Sequence, residues 1–77
     1  MVLEIRLPEL GEDIDNGEVV RVLVKVGEQV SAHQAVLEIA HEAGTAMIHS
    51  PRAGRIARIH AHPGQCMRTD ILLFEID

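Results

Sequence analysis

The sequence predicts an all-β domain, built as a flattened two-sheet barrel or sandwich with a pseudo-twofold axis. Apolar residues make up 47% of the 77 residues, yet Phe74 is the single aromatic, so the interior must come largely from Val, Ile and Leu. Side chains branched at Cβ favour the pleated, half-buried surface of a sheet. Short apolar runs alternate with turn-forming residues, as is typical of small β domains. The second half of the chain also repeats the first.

The repeat has an offset of 37 residues and needs no gap. Sliding residues 17–39 onto residues 54–76 gives five identities, which are Gly17 with Gly54, Arg21 with Arg58, Gly27 with Gly64, Glu38 with Glu75 and Ile39 with Ile76. One such unit alone is an unstable small sheet, whereas two paired units bury both apolar faces. The sequence therefore predicts two similar β units that face each other.

The first unit is preceded by a strand and a loop. Residues 2–7 are predicted to form a strand in which apolar and polar side chains alternate from Leu3 onward, and Pro8 ends it because it cannot donate a ladder hydrogen bond. Residues 9–17 are acidic and rich in turn formers, which predicts a solvated surface loop. Residues 18–26 form the longest β run, and the turn signal at residues 27–28 ends it.

The middle of the chain predicts a β-hairpin. After a short β step at residues 29–30 and a polar corner, residues 35–39 form a strand, residues 40–45 a connection, and residues 45–49 a return strand. Pro51 closes that strand by restricting the residue before it. His33 and Asp70 correspond in the repeat at sharp corners, and both residue types tolerate left-handed backbone angles, so we expect them to serve the backbone.

Composition limits the function classes. The net charge of -5 disfavours nucleic acid and anionic membrane surfaces as partners. Cys66 is the single cysteine, which excludes an intramolecular disulfide and fits a reducing compartment. No apolar run reaches the ~18 residues of a membrane span, and no signal peptide is recognisable. We therefore expect one soluble domain over residues 1–77.

Three blocks resemble the lipoyl domains of 2-oxo acid dehydrogenase acyltransferases. They are Leu-Pro-Glu-Leu-Gly-Glu at residues 7–12, the run from Gly17 to Val30, and Ser-Pro-Arg-Ala-Gly at residues 50–54. The resemblance implies a barrel-sandwich hybrid fold and a carrier domain with no catalytic residues, within a parent acyltransferase. It also implies a bacterial cytoplasmic or mitochondrial matrix location, and an isolated domain that is monomeric. Biotinyl carrier domains share this fold, but the opening block favours the lipoyl branch.

The same resemblance assigns the central hairpin. Lipoyl domains carry Asp-Lys-Ala at the tip, with lipoic acid on the lysine, and these residues align with Glu42, Ala43 and Gly44. An alanine methyl cannot attack an activated lipoyl carbonyl, so no lipoate is expected on this chain as written. The tip, from His41 to Gly44, would need lysine at Ala43 to carry the cofactor. Lys25, the one lysine, is expected to be an ordinary exposed residue.

Partner recognition is assigned to the acidic loop in the same way. Glu9, Glu12, Asp13 and Asp15 correspond to a loop that helps the 2-oxo acid decarboxylase recognise lipoyl domains. The other implied partners are dihydrolipoyl dehydrogenase and lipoate-protein ligase. A merely solvated acidic loop is the alternative.

Two further functions remain open from the residues. One is an interaction or spacer module that has no carrier role. The other is a metal-binding or regulatory domain that uses histidines near the tip, such as His41 and His49. The spacing of the five histidines matches no familiar zinc pattern, so solvated histidines and no metal are expected.

Overall fold

A computed structural model describes residues 2–77. In that range the chain forms eight β-strands and no helix. The strands are β1 (Leu3–Arg6), β2 (Asn16–Val22), β3 (Gln29–Val30), β4 (Ala35–His41), β5 (Gly44–His49), β6 (Gly54–Ile59), β7 (Cys66–Arg68) and β8 (Leu72–Ile76). The predicted all-β class is confirmed.

The strands form two four-stranded sheets with antiparallel pairing throughout. One sheet has the order β1-β8-β6-β3 and the other the order β5-β4-β2-β7. Between residues 2 and 77 no ladder joins the two sheets, so the domain is a sandwich and not a closed barrel.

The pseudo-twofold relation predicted from the repeat is confirmed by backbone hydrogen bonds. The Leu23 N–H donates to the Val36 carbonyl, and 37 residues later the His60 N–H donates to the Leu73 carbonyl. Strands β3 and β7 are exchanged between the units, since each pairs with the first strand of the opposite unit. The two units therefore hold each other together by hydrogen bonds as well as by their apolar faces.

The prediction of one long strand over residues 18–26 is wrong beyond Val22. Residues 18–26 were expected to form one strand, but β2 ends at Val22 and the chain then crosses between the sheets. Leu23 is still bonded to Val36 in one sheet, whereas the Gly27 N–H already donates to the Ile56 carbonyl in the other. Val24 is buried in the segment that crosses between the sheets. The apolar pattern therefore continues beyond Val22 although no strand pairing does.

Both predicted left-handed corners are confirmed. The φ angle is 68° at His33 and 72° at Asp70. At each corner the N–H of the left-handed residue donates to a carbonyl beside a proline, from His33 to Ser50 at 2.7 Å and from Asp70 to Leu7 at 2.8 Å. Asp13, with φ of 62°, is a third left-handed residue that the sequence did not predict.

The core lies between the two sheets and is aliphatic apart from one ring. Phe74 is fully buried, as is Ser50, the one buried polar residue among residues 2–77. The Ser50 hydroxyl donates to the Arg52 carbonyl at 2.6 Å, which satisfies its donor within the corner. The other buried core residues are Ile5, Leu7, Val19, Val24, Val30, Val36, Leu37, Ile39, Ile48, Ile56, Ala61, Met67, Leu73 and Ile76.

Candidate functional site

The hairpin between β4 and β5 ends in a tight, exposed turn. The ladder extends to the pairs Ala40 with Thr45 and His41 with Gly44, so only Glu42 and Ala43 lie outside it. The expected connection over residues 40–45 was therefore too long. Both turn residues are exposed, which leaves the side chain at position 43 free of the core.

Two local features fix the shape of this turn. Gly44 has a φ of 141°, a conformation that residues with a Cβ rarely adopt. The His41 ring folds over the turn, and its Nδ1 accepts a hydrogen bond from the Ala43 N–H at 3.2 Å. The sequence places His41 in the tip, but this contact with the turn backbone was not predicted.

The turn lies at the end of the sandwich opposite to Leu3 and Ile76. The Gly64 N–H, beyond β6, donates to Val19 near the start of β2, and the Gly27 N–H, beyond β2, donates to Ile56 near the start of β6. Strands β2 and β6 therefore run in opposite directions on the facing sheets. β4 ends beside the start of β2, and β8 ends beside the start of β6 and pairs there with Leu3 of β1. The turn therefore lies at the opposite end from Leu3 and Ile76.

The acidic loop is an insertion that breaks the pseudo-twofold symmetry. Pro51 follows its counterpart Pro8 by 43 residues, whereas Gly54 follows its counterpart Gly17 by 37 residues. The first unit thus has six additional residues at a junction that the second unit crosses directly. The insertion carries Glu12, Asp13 and Asp15 and contains the left-handed Asp13.

The structure places part of this insertion beside the hairpin turn. One small surface depression is lined by Glu42 of the turn together with Asp13, Ile14, Asp15 and Asn16. A broader neighbouring depression is lined by Glu9, Gly11, Glu12, Asp13, Ile14, Asp15 and Thr69. The loop and the turn therefore form one continuous acidic region, which we call the acidic end. The change of offset between the proline and glycine pairs is the sequence signal that marks this insertion.

Other candidate residues lie away from the acidic end. Lys25 is exposed in the turn that precedes Glu28, whose backbone contacts β6. His60 and His62 follow β6, which ends at Ile59, and His60 Nε2 lies 2.7 Å from Glu75 Oε2. Within residues 2–77 no three His, Cys, Asp or Glu side chains are grouped closely enough to hold a metal ion. That described range also contains no helix that could cross a membrane.

Comparison with known proteins shows which family has this architecture. The model of the Biotin_lipoyl family, described as "Biotin-requiring enzyme", matches residues 3–76. The chain belongs to this family. The resemblance to lipoyl domains is thereby confirmed at the level of the domain.

Curated relatives are acyltransferase components. The chain is 40% identical over 63 residues to the lipoamide acyltransferase component of the branched-chain alpha-keto acid dehydrogenase complex of Pseudomonas aeruginosa, covering 82% of this chain and 15% of that protein. It is 29% identical over 77 residues to the dihydrolipoyllysine-residue acetyltransferase component of the pyruvate dehydrogenase complex of Staphylococcus aureus, covering all of this chain and 18% of that one. The chain therefore spans less than a fifth of these relatives.

A solved structure supports the fold. A domain of a single-chain, multi-domain long-chain acyl-CoA carboxylase superposes on 97% of this chain with a TM-score of 0.75 and 23% sequence identity, and the match covers 7% of that protein. At this identity the similarity establishes the sandwich architecture alone.

Proposed function

We propose that this chain is a lipoyl-type domain of a 2-oxo acid dehydrogenase acyltransferase that presents its acidic end to partner enzymes without carrying a cofactor. The observation that carries the proposal is Ala43 at the exposed turn between β4 and β5, where the family's attachment lysine is expected. The names of the relatives support the parent complex.

The side chains of the turn do not fit covalent attachment of lipoate or biotin. Both cofactors are expected to form an amide with a lysine amine, and the tip from His41 to Gly44 contains no amine side chain. The neighbouring acidic residues cannot replace it, because carboxylates supply no nitrogen. Lys25, the one lysine of the chain, belongs to a different turn, on the crossing between the sheets. No acyl transfer step is therefore assigned to this chain.

The acidic insertion supports a recognition role. The second unit closes the equivalent junction without these six residues, so the fold does not require a loop of this length. The insertion packs Leu10 against the core, and its Glu12, Asp13 and Asp15 concentrate charge beside the turn. Acidic surfaces steer and orient basic partners. We propose that Glu9, Glu12, Asp13 and Asp15 contact the decarboxylase component, with dihydrolipoyl dehydrogenase and lipoate-protein ligase as further candidate partners.

Intact mass after enzymatic ligation tests the missing attachment point. The chain is incubated with lipoate-protein ligase, ATP and lipoate, and in parallel with biotin-protein ligase, ATP and biotin. We expect no added mass on the unaltered chain. An adduct on it would overturn the proposal, and its loss in Lys25→Arg would assign the adduct to that lysine.

Restoring the lysine tests the rest of the site. In the Lys25→Arg background, Ala43→Lys offers one side-chain amine, so a lipoyl adduct there would show that the turn still has the shape that the ligase recognises. A failure of this variant to react, with its fold intact, would favour the second candidate function. That function is an interaction or spacer module that no longer serves the carrier system of the dehydrogenase complex, and it is favoured by the departure of all three tip residues from Asp-Lys-Ala.

A further inference from the structure

The turn between β4 and β5 is bonded to a side chain that can gain a proton. The ladder ends at the pair His41 with Gly44, and the Ala43 N–H lies beyond it. His41 Nδ1 accepts a hydrogen bond from this N–H at 3.2 Å. An imidazole nitrogen accepts only while it carries no proton, whereas both ring nitrogens of an imidazolium are donors. The bond therefore requires neutral His41 with its proton on Nε2.

The bond resembles an Asx turn but differs from it in one respect. In an Asx turn the side chain of Asn or Asp accepts from the backbone N–H two residues on, and His41 is two residues before Ala43. Asn Oδ1 and His Nδ1 are both attached to Cγ, so Asn could make the same bond. Asn accepts at every pH, whereas histidine is the side chain that ordinarily changes charge between about pH 5 and 8. The acceptor of this turn is therefore one that acid removes.

Acidic residues predominate around the turn. Carboxylates accept from an imidazolium, and such charge-assisted hydrogen bonds are roughly twice as strong as neutral ones. An imidazolium at position 41 would therefore find acceptors in the acidic end and none in the Ala43 N–H. The charged residues of the elements next to the turn are Glu42 of the hairpin, Glu9, Glu12, Asp13 and Asp15 of the acidic loop, Glu18 of β2 and Arg68 of β7.

We propose that protonation of His41 releases the turn, so that pH selects between two conformations of the end that the domain presents. With neutral His41, Nδ1 holds the amide of Ala43. With protonated His41, the ring leaves that amide and donates to the carboxylates of the acidic end, which also lowers the negative charge there. His41 is thereby a positioning residue of the turn. The release is a property of the domain itself, and only its effect on partners rests on the proposed function.

The first test is a pH titration of the 77-residue chain followed by NMR. The ring protons of His41 report its protonation, and the amide proton of Ala43 reports the bond, because an amide proton moves upfield when it loses its acceptor. We expect the Ala43 amide to move upfield with the same midpoint as the His41 ring. The Ala46 amide, inside the ladder, should move much less. An Ala43 amide that does not follow the His41 ring would overturn the proposal.

Two substitutions of His41 separate the acceptor from the charge. His41→Asn supplies an acceptor that does not titrate, so the Ala43 amide should stay downfield throughout. His41→Ala removes the acceptor, so the amide should stay upfield throughout. Recovery by Asn of what Ala loses would assign the effect to acceptance at Nδ1. A pH-dependent shift of unchanged size in His41→Asn would contradict the proposal, because it would assign the shift to the neighbouring carboxylates.

Two matched controls address the other titrating groups of the hairpin. His49→Asn removes an exposed histidine in β5, and Glu42→Gln removes the carboxylate beside His41. The Ala43 shift should persist in both, since each keeps Nδ1 of His41. Its loss in either variant, while the ring of His41 still titrates, would refute the release of the turn by His41. Thermal unfolding checks that all four variants remain folded.

Ligation tests the effect on presentation. The domain with Ala43→Lys and Lys25→Arg is incubated with lipoate-protein ligase on both sides of the His41 midpoint, with and without His41→Asn. The ratio of the two rates cancels the pH dependence of the ligase. We expect the rate of the domain that keeps His41, relative to the His41→Asn domain, to fall on acidification. A constant ratio would overturn the effect on presentation. If neither domain reacts at any pH, the proposed function fails, and the Ala43 amide still decides the release of the turn.

Discussion

Gly17 and Gly54 occupy equivalent positions at which each unit approaches its own last strand too closely for a side chain. A Cβ on Gly17 would lie 2.3 Å from Ile39 Cγ2, and a Cβ on Gly54 would lie 2.5 Å from Ile76 Cγ2. Both glycines and both isoleucines are identities of the 37-residue repeat. The repeat therefore preserves a packing contact and not only an apolar pattern.

Gly17→Ala and Gly54→Ala should destabilise the domain by similar amounts. Each added methyl overlaps a buried isoleucine and lies within about 3 Å of a backbone oxygen, and overpacking of this kind costs about 1–3 kcal/mol. For a domain of this size the thermal midpoint should fall by roughly 4–8 °C per kcal/mol. Gly11→Ala is the control, because its Cβ would meet only the flexible end of Ile14. Markedly unequal effects at Gly17 and Gly54 would show that the units are not energetically equivalent.

The sequence predicts the fold where the two units use the same residue for the same purpose. The glycine and isoleucine pairs, and the corners at His33 and Asp70, occupy equivalent positions in the repeat and can be read from the sequence alone. The exchange of β3 and β7 between the units was not predicted. The apolar and polar pattern of a short run such as Gln29–Val30 does not show which strand it pairs with.

The candidate site was predictable in position but not in detail. Apolar residues continue past Val22 because the crossing segment is also buried, so the pattern could not mark the end of β2. The turn at Ala43 could be located from the spacing of its flanking strands. Glu42 and Asp13 line the same depression because of the path that the insertion takes. That path could not be predicted, since the second unit has no equivalent segment.

His33→Val should destabilise the domain because the position requires a left-handed backbone. The φ of 68° is tolerated by His, Asn and Asp but is strongly unfavourable for a β-branched residue, at a cost of about 1–2 kcal/mol. His33→Asn should remain close to the stability of the unaltered domain. Urea unfolding of both variants measures the difference. Equal stabilities of the two variants would contradict a backbone requirement at this position.

Gly44→Ala should destabilise the hairpin without any steric clash. No atom lies within 4 Å of a Cβ at Gly44, so only the φ of 141° opposes a side chain there. Backbone strain of this type costs about 1–3 kcal/mol. The lipoyl pattern has alanine at this position, so an unchanged thermal midpoint would indicate that the turn readily adopts a second conformation. Amide shifts confined to residues near the turn would locate that change.

Ala43→Lys should leave folding stability almost unchanged. Ala43 is exposed at the end of the hairpin, and substitutions at such sites usually fall within about 0.5 kcal/mol. The bond from the Ala43 N–H to His41 uses the backbone and survives the change. Thermal unfolding of the variant is compared with that of Glu42→Gln, its exposed neighbour. A midpoint lowered by many degrees would show that position 43 is packed, which would contradict the exposed turn.

Deletion of residues 10–15 tests whether the insertion serves the fold or its partners. The deletion leaves Pro-Glu-Asn-Gly, which matches the length of Pro-Arg-Ala-Gly at the second junction. We expect a folded domain that is destabilised by about 1–2 kcal/mol, because the partly buried Leu10 is lost. The Thr69 N–H also loses the Asp15 carbonyl that accepts from it at 2.8 Å. Circular dichroism and amide spectra measure the fold.

The deletion should abolish binding to the decarboxylase component if the acidic end is the recognition surface, and calorimetric titration measures that binding. A second variant, with Glu12→Gln, Asp13→Asn and Asp15→Asn, keeps the loop length and the left-handed position, which Asn tolerates. Loss of binding in both variants assigns recognition to charge, because only charge is removed in the second. Loss in the deletion alone assigns it to loop shape. An unfolded deletion variant would instead show that the first unit needs the insertion as scaffold, since the partly buried Leu10 packs against the core.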